Sequence, residues 1–224
     1  MQTEISYSPA FALARVRLDA GESVVAEAGA MVGMSAGVEV KTQSRGGVMA
    51  GLKRSVLGGE SFFMNTFTAS TAGEITFAPA LPGDIVVWEL SGQTVLLTSG
   101  CYLASAATVD VDTKWGGAKT FFSAEGLFLL KVTGAGTLLV SSYGAIEARD
   151  LAAGETYTVD SGHVVAFADT VQYAVNKFGG WKSTLLGGEG LVVQLTGPGR
   201  IYIQTRSPQG FIDWITPLLP TQRS

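Results

Sequence analysis

The chain has 224 residues, a length that suits one all-β domain or two small ones. Charged residues make up only 15% of the chain and hydrophobic residues 46%, a balance that excludes a disordered chain. The formal net charge of −4 gives no overall attraction to nucleic acid or anionic lipid.

The N-terminal segment, Met1 to Tyr7, has no basic stretch followed by an apolar stretch, which a secretory leader would need. No apolar run approaches the roughly 18–20 residues of a membrane-spanning helix. We therefore expect a soluble, cytoplasmic protein without a membrane span.

Three glycine-rich segments along the chain resemble one another. Each contains a lysine, reaches a glutamate and then runs into an apolar strand, and the glutamates Glu60, Glu125 and Glu189 lie 65 and 64 positions apart. A regular period of this kind predicts an internal repeat. The segments are Gly51 to Met64, Gly116 to Leu130, and Gly179 to Val193.

Turn glycines mark the strands on both sides of these segments. Blocks that begin at Gly21, Gly92 and Gly154 each reach a second glycine eight positions later, and glycine can supply the positive φ that tight turns require. We predict an all-β fold in which a threefold internal repeat forms a β-sandwich or a body like a double-stranded β-helix. The predicted organisation is a single domain, 1–224, with repeats at about 11–90, 91–146 and 147–206 and a helical segment at 207–224.

A short helix is predicted at the C-terminal end. Ser207 and Pro208 are typical of a helix start, and Phe211, Trp214 and Ile215 then recur at helical spacing. The favoured interpretation is a helix that covers a sheet edge or one end of the core. The alternative is an aromatic interface with a partner subunit or with lipid. Lipid is the less favoured of these two, because the segment carries Asp213 and no lysine.

The residues that could carry catalysis are few. Cys101, the single cysteine, lies in an apolar segment and is expected in the core; His163, the single histidine, begins an apolar strand and is expected to pack or hydrogen-bond. Asp110 and Asp112 share one face of a predicted strand with Lys114, which favours a solvated face over paired carboxylates. No group of residues in the sequence supplies both a nucleophile or a metal site and the group that would activate it. We therefore predict that the protein is not an enzyme and holds no cofactor or metal.

The lysines of the three glycine-rich segments occupy matching positions and could form a ring that binds an anion or an acidic partner. The alternative, which we favour, is that each is solvated or pairs with the glutamate of its own segment. A phosphate-binding P-loop is excluded because Leu52 and Trp181 separate glycine from lysine. The three residues are Lys53, Lys119 and Lys182.

Recognition of nucleic acid is not predicted. Lysine and arginine total 15 against 19 acidic residues, and the basic residues are scattered.

The first glycine-rich segment also resembles the signature of a known protein family. It resembles the signature of the bacterial relatives of the mitochondrial biogenesis protein named for altered inheritance of mitochondria, and later segments agree with it. The resemblance implies a repeated β-fold like that of the tryptophan RNA-binding attenuation protein, in a family whose bacterial members have no settled activity. The matching segments are Gly51-Leu52-Lys53-Arg54-Ser55-Val56-Leu57-Gly58-Gly59-Glu60-Ser61-Phe62-Phe63-Met64, Pro79-Ala80-Leu81-Pro82-Gly83-Asp84-Ile85, and Leu186-Gly187-Gly188-Glu189-Gly190-Leu191.

Low charge, many apolar strands and the aromatic C-terminal segment favour a non-enzymatic structural or interaction protein that associates with itself or with another protein. The alternative is a small-ligand binding module that uses a cleft between repeats near Trp88, Trp115 or Trp181.

Overall fold

The computed structural model describes residues 1–42, 63–113, 128–177 and 191–220, and β-strands dominate these ranges. One short helix, α1 (Pro208–Ile215), follows the last strand, so the predicted all-β class with a C-terminal helix is confirmed. The strands are β1 (Gln2–Ser6), β2 (Leu13–Leu18), β3 (Ser23–Glu27), β4 (Met31–Met34), β5 (Val38–Thr42), β6 (Met64–Ala69), β7 (Gly73–Phe77), β8 (Ile85–Ser91), β9 (Val95–Thr98), β10 (Tyr102–Ala106), β11 (Val109–Asp112), β12 (Leu129–Ser141), β13 (Ile146–Leu151), β14 (Thr156–Asp160), β15 (Val164–Ala168), β16 (Gln172–Lys177), β17 (Leu191–Thr196) and β18 (Gly199–Gln204).

The strands form three sheets, and all pairings between named strands are antiparallel. The first sheet has the order β1-β2-β7-β4, and the third has the order β14-β17-β16. The large sheet has the order β13-β18-β15-β9-β12-β10-β3-β6-β5, with β8 and β11 also paired to β12. Strand β12 pairs with β9 and β11 along its first half and with β8 and β10 along its second half. The change of partners falls near Gly134 and Gly136, whose φ angles are +113° and +138°. A side chain at Gly134 would come within 2.6 Å of the Thr108 carbonyl oxygen, so glycine is required there.

The pairings fall into three sets that share one arrangement. Set 1 (β2–β7) contains the groups β2-β7-β4 and β3-β6-β5, set 2 (β8–β12) contains β8-β12-β10 and β9-β12-β11, and set 3 (β13–β18) contains β13-β18-β15 and β14-β17-β16. The register shift in the first group of each set falls at the corresponding place: between Met31 and Gly33, between Tyr102 and Ala104, and between Val164 and Ala166. The threefold repeat of the sequence stays a prediction.

Neighbouring sets are joined by strand pairing. Strand β10 of set 2 pairs with β3 of set 1, placing Ala104 opposite Ala26, and β15 of set 3 pairs with β9 of set 2, placing Ala166 opposite Leu97. A side-chain hydrogen bond supports each junction. The Tyr102 hydroxyl donates to the Val25 carbonyl at 3.0 Å, and the Thr98 hydroxyl donates to the Val164 carbonyl at 2.8 Å. The sets therefore share continuous β-sheet.

The core consists of three apolar clusters, and each draws side chains from two sets. Leu103 and Ala104 of β10 lie in the cluster built mainly from set 1. Val165 and Ala166 of β15 lie in the cluster built mainly from set 2. The residues that join the sets by hydrogen bonds thus also complete the core of the preceding set.

A loop contact joins the two segments that flank set 2, the β7–β8 loop and the β12–β13 loop. Gly83 and Gly144 form a parallel bridge, the Asp84 amide donates to the Gly144 carbonyl at 3.1 Å, and the Gly144 amide donates to the Pro82 carbonyl at 3.0 Å. The backbones lie so close that a side chain at Gly83 would overlap the Ser142 carbonyl oxygen. The Pro82-Gly83-Asp84 segment therefore has a structural reason for its glycine.

Candidate interaction surface

Strand β4 exposes an apolar edge, which we call the β4 edge and define as Met31, Val32, Gly33 and Met34. Met31, Val32 and Met34 have 41%, 61% and 43% of their surface exposed. The residues at the corresponding positions of β10 and β15 are at most 1% exposed; they are Tyr102, Leu103, Ser105, Val164, Val165 and Phe167. The corresponding positions are thus buried in β10 and β15 and exposed in β4.

The reason for the difference is the partner on the second side of each strand. Strand β10 is flanked by β12 and β3, and β15 is flanked by β18 and β9. Within the described residues β4 pairs with β7 alone. An unpaired edge leaves backbone N–H and C=O groups available to another strand.

Strand β14 is the second strand with an unexpected open edge. The corresponding strands β3 and β9 are paired on both sides, whereas β14 pairs with β17 alone in the described part of the chain. Thr158 is exposed, while Val25 and Leu96 at the corresponding positions are 8% and 6% exposed. Val159 next to it is buried in the cluster of set 3.

Helix α1 places the predicted aromatic residues on the surface. It begins as predicted, because the Ser207 hydroxyl accepts a hydrogen bond from the Gly210 amide at 3.3 Å and Pro208 occupies the first turn. Phe211 is half-buried, with its ring 6.2 Å from that of Tyr143, whereas Trp214 is 64% exposed. Ile215 is half-buried. An interface role for Phe211, Trp214 and Ile215 stays a prediction.

The helix starts beside the end of β14. Ser207 lies so close to Gly162 that a Cβ placed at Gly162 would be 2.4 Å from the Ser207 hydroxyl. Gly162 follows Asp160, the last residue of β14, by two positions. The start of α1, at Ser207, and the end of β14 are therefore neighbours.

The three lysines that could form a ring lie outside the residues that the structure describes. This applies to Lys53, Lys119 and Lys182, to their glutamates and to Trp115 and Trp181. Both the ring and the favoured alternative, in which each lysine is solvated or paired with its glutamate, stay predictions. Trp88 is described and half-buried, with its ring 4.4 Å from that of Tyr202, and it lines neither of two open depressions of about 460 and 400 Å³.

Cys101 and His163 are engaged in packing, as predicted. Cys101 is buried. Burial, with a smaller contribution from Glu27, raises the pKa of the Cys101 thiol to about 12. The imidazole Nδ1 of His163 lies 2.7 Å from the Gln204 carbonyl oxygen, and the Gln204 side chain in turn donates to the Gly162 carbonyl at 2.8 Å. His163 thus links the turn between β14 and β15 to the end of β18, whereas Cys101 lies between β9 and β10 and packs in the cluster built mainly from set 2.

We expect Cys101 to be inert in the folded protein. A thiol with a pKa of about 12 is ionised to about one part in ten thousand at pH 8, and the thiolate is the nucleophile. A chromogenic disulfide reagent should label well under a tenth of the native chains in an hour and all of them in urea. In the control variant Leu218→Cys, the added thiol should react within seconds, because Leu218 is 67% exposed. Rapid native labelling of the unmodified chain would contradict the burial of Cys101.

The acidic pair lies on a strand, as predicted. Asp110 and Asp112 are in β11, where Asp112 lies opposite Lys131 of β12. Asp110 is exposed and Asp112 half-buried. No group of three or more histidine, cysteine or acidic side chains comes together among the residues that the structure describes.

The β4 edge was missed by sequence reasoning. Met31-Val32-Gly33-Met34 is as apolar as Tyr102-Leu103-Ala104 and Val164-Val165-Ala166, so its composition predicts burial. The only signal in the sequence is order along the chain, because the segment belongs to the first of the three sets.

These features define an all-β protein whose candidate functional surface is made of strand edges and one short aromatic helix. Over the described ranges, no helix is long and apolar enough to cross a membrane. The chain belongs to the family described as Mitochondrial biogenesis AIM24, whose model matches residues 3–206. The family resemblance read from the glycine-rich segment is thereby confirmed, while the likeness to the attenuation protein's fold stays a prediction.

Two proteins of Streptococcus pyogenes are similar to the chain. An uncharacterised protein of serotype M6 is 32% identical over 229 residues, which cover 99% of this chain and 92% of the relative. An X-ray crystal structure of a protein from the same species superposes with a TM-score of 0.81 at 31% identity, covering 97% of this chain and 99% of that chain.

Proposed function

We propose that this protein is a non-enzymatic assembly protein that associates with copies of itself through the β4 edge. The observation that carries the proposal is the exposure of Met31, Val32 and Met34 at positions that are buried in both counterpart strands. Both counterpart strands, β10 and β15, have a second strand beside them.

The composition of β4 supports the proposal. Proteins that remain monomeric protect an edge strand with lysine, other charges, proline or a covering loop. The segment Met31 to Met34 contains no charged residue and no proline. Two methionines suit a contact surface, because their flexible thioether side chains adapt to irregular partners.

The proposal includes the absence of catalysis. Cys101 and His163, which would be the natural nucleophile and base, are used in packing and in backbone hydrogen bonds. The cytoplasmic location expected from the sequence is part of the same proposal.

The test is a charge placed on the β4 edge. We expect the wild-type protein to scatter light as a multiple of the chain mass at micromolar concentration. Val32→Glu should weaken the association by about 100-fold or more, because burying an unpaired carboxylate costs several kcal/mol. Size-exclusion chromatography with light scattering, over a dilution series, measures both.

The matched control is Val40→Glu. Val40 is also an exposed valine of an edge strand, at 47%, but its strand β5 corresponds to β11 and β16, which are edges as well. The control should leave the mass unchanged, and circular dichroism should show both variants folded. A wild-type protein that is monomeric at 100-fold higher concentration, or a Val32→Glu variant with wild-type mass, would overturn the proposal.

A further inference from the structure

The described residues leave two strands with an unexpected open side, one in set 1 and one in set 3. We infer that the β4 edge of one copy pairs with β14 of another copy, so that copies join head to tail. This inference rests on the self-association proposed above and specifies the surface on the partner.

The chain contains its own template for this contact. Strands β4, β10 and β15 hold corresponding positions, and so do β3, β9 and β14. Strand β10 pairs with β3, and β15 pairs with β9, both antiparallel. Strands β4 and β14 are the remaining members of the two groups, and within one chain they do not pair with each other. A second copy brings the missing partner to each of them.

The template also fixes the register. Ala104 and Ala166 stand four positions after Gly100 and Gly162, and their partners Ala26 and Leu97 stand five positions after Gly21 and Gly92. The same spacing counted from Gly29 and Gly154 places Gly33 opposite Val159. Met34 then lies opposite Thr158, an exposed residue of β14.

The core provides an independent argument. At each junction within the chain, the residue in the bulge of the second strand enters the cluster of the preceding set: Leu103 enters the cluster of set 1 and Val165 that of set 2, and both are fully buried. Val32 is the corresponding residue of β4 and is 61% exposed. Paired with β14, it would enter the cluster of set 3 of the neighbouring copy, which contains Val159 and Leu195.

The surroundings of the two edges suit each other. The outward residues of β14, Thr156 and Thr158, are β-branched and uncharged, as a partner for the apolar β4 edge requires. The template places Met31 beside the end of β14, where helix α1 begins. The start of α1, at Ser207, therefore lies next to the inferred contact.

Such a contact uses two different surfaces, so it is heterologous. Each copy added by it uses one of its two edges and leaves the other exposed, so a row of copies keeps one open β4 edge and one open β14 edge. Heterologous contacts produce closed rings when the rotation between copies closes, and open filaments when it does not. A symmetric dimer, in which β4 pairs with β4, is the competing arrangement.

The test is a disulfide across the proposed register. Met34→Cys and Thr158→Cys chains are prepared separately, mixed in equal amounts, oxidised mildly and separated on a non-reducing denaturing gel. Directly opposed residues have Cβ atoms about 4.5–5.5 Å apart, close to what a disulfide needs, and buried Cys101 does not compete. We expect at least tenfold more covalent dimer in the mixture than in either variant alone.

The matched control mixes Met34→Cys with Thr156→Cys. Thr156 is exposed on the same strand and face but lies two residues out of register, where the Cβ distance of about 7–8 Å exceeds the reach of a disulfide. Equal dimer in the control mixture would overturn the inferred register.

The remaining outcomes separate this inference from the proposed function. Covalent dimer from Met34→Cys alone would show that β4 pairs with β4, and multimers without any cross-link would show that another surface covers the edge. Both results overturn the head-to-tail contact and leave self-association standing. Monomers throughout would overturn both.

Discussion

Replacing Leu103 with alanine should lower the free energy of unfolding by about 3–5 kcal/mol. Leu103 is fully buried and belongs to β10, yet its side chain lies in the apolar cluster built mainly from set 1. The truncation therefore leaves a cavity at the junction between two sets, where the surrounding strands are paired on both sides and have little freedom to collapse. Urea unfolding followed by tryptophan fluorescence, at one fixed protein concentration, measures the loss.

The matched control for Leu103 is the same substitution at Leu218. Leu218 is 67% exposed in the C-terminal segment, so Leu218→Ala should change the free energy of unfolding by no more than about 0.5 kcal/mol. Equal losses for the two variants would mean that Leu103 does not fill the core of set 1, and the template for the head-to-tail contact would lose its basis.

Replacing Gly83 with alanine should cost about 3 kcal/mol or more. The added Cβ would overlap the Ser142 carbonyl oxygen, which is backbone and can move only if the loop moves. That movement would break the hydrogen bonds that Asp84 and Pro82 make with Gly144. The expected result is a midpoint of urea unfolding well below that of the wild type, with an unchanged slope.

Gly210→Ala is the opposite case. Gly210 lies in helix α1, and the nearest atom to an added Cβ is 3.8 Å away. Alanine there should leave the stability unchanged or raise it by up to about 1 kcal/mol, because glycine is the poorer helix former. A Gly83→Ala variant that unfolds at the same urea concentration as Gly210→Ala would show that the loop contact is looser than described.

Much of the fold could be predicted because local rules act on single residues. Gly21, Gly92 and Gly154, predicted as turn glycines, have φ angles of +86°, +105° and +78°, a region that side chains with a Cβ avoid. Ser207 and Pro208 fixed the start of the C-terminal helix for the same kind of reason. The burial of Cys101 followed from its apolar neighbours.

The β4 edge could not be predicted because burial depends on the neighbouring strand and not on the residue. Val32 and Leu103 have similar chemistry and corresponding positions, but only Leu103 has a second strand beside it. Sequence periodicity describes how a strand alternates; it does not show which set lacks a neighbour. Lys53, Lys119 and Lys182, which could form an anion-binding ring, lie outside the described ranges.

Because the two open edges differ, a linear assembly of copies is polar. One end presents β4 and the other presents β14. A chain damaged only on β4 still offers an intact β14, so it accepts one neighbour and then stops growth on its other side. Small amounts of Val32→Glu chain mixed into the wild type would thus terminate the assembly and shorten or open it out of proportion to their number. A two-fold symmetric pair cannot show this dominant-negative effect.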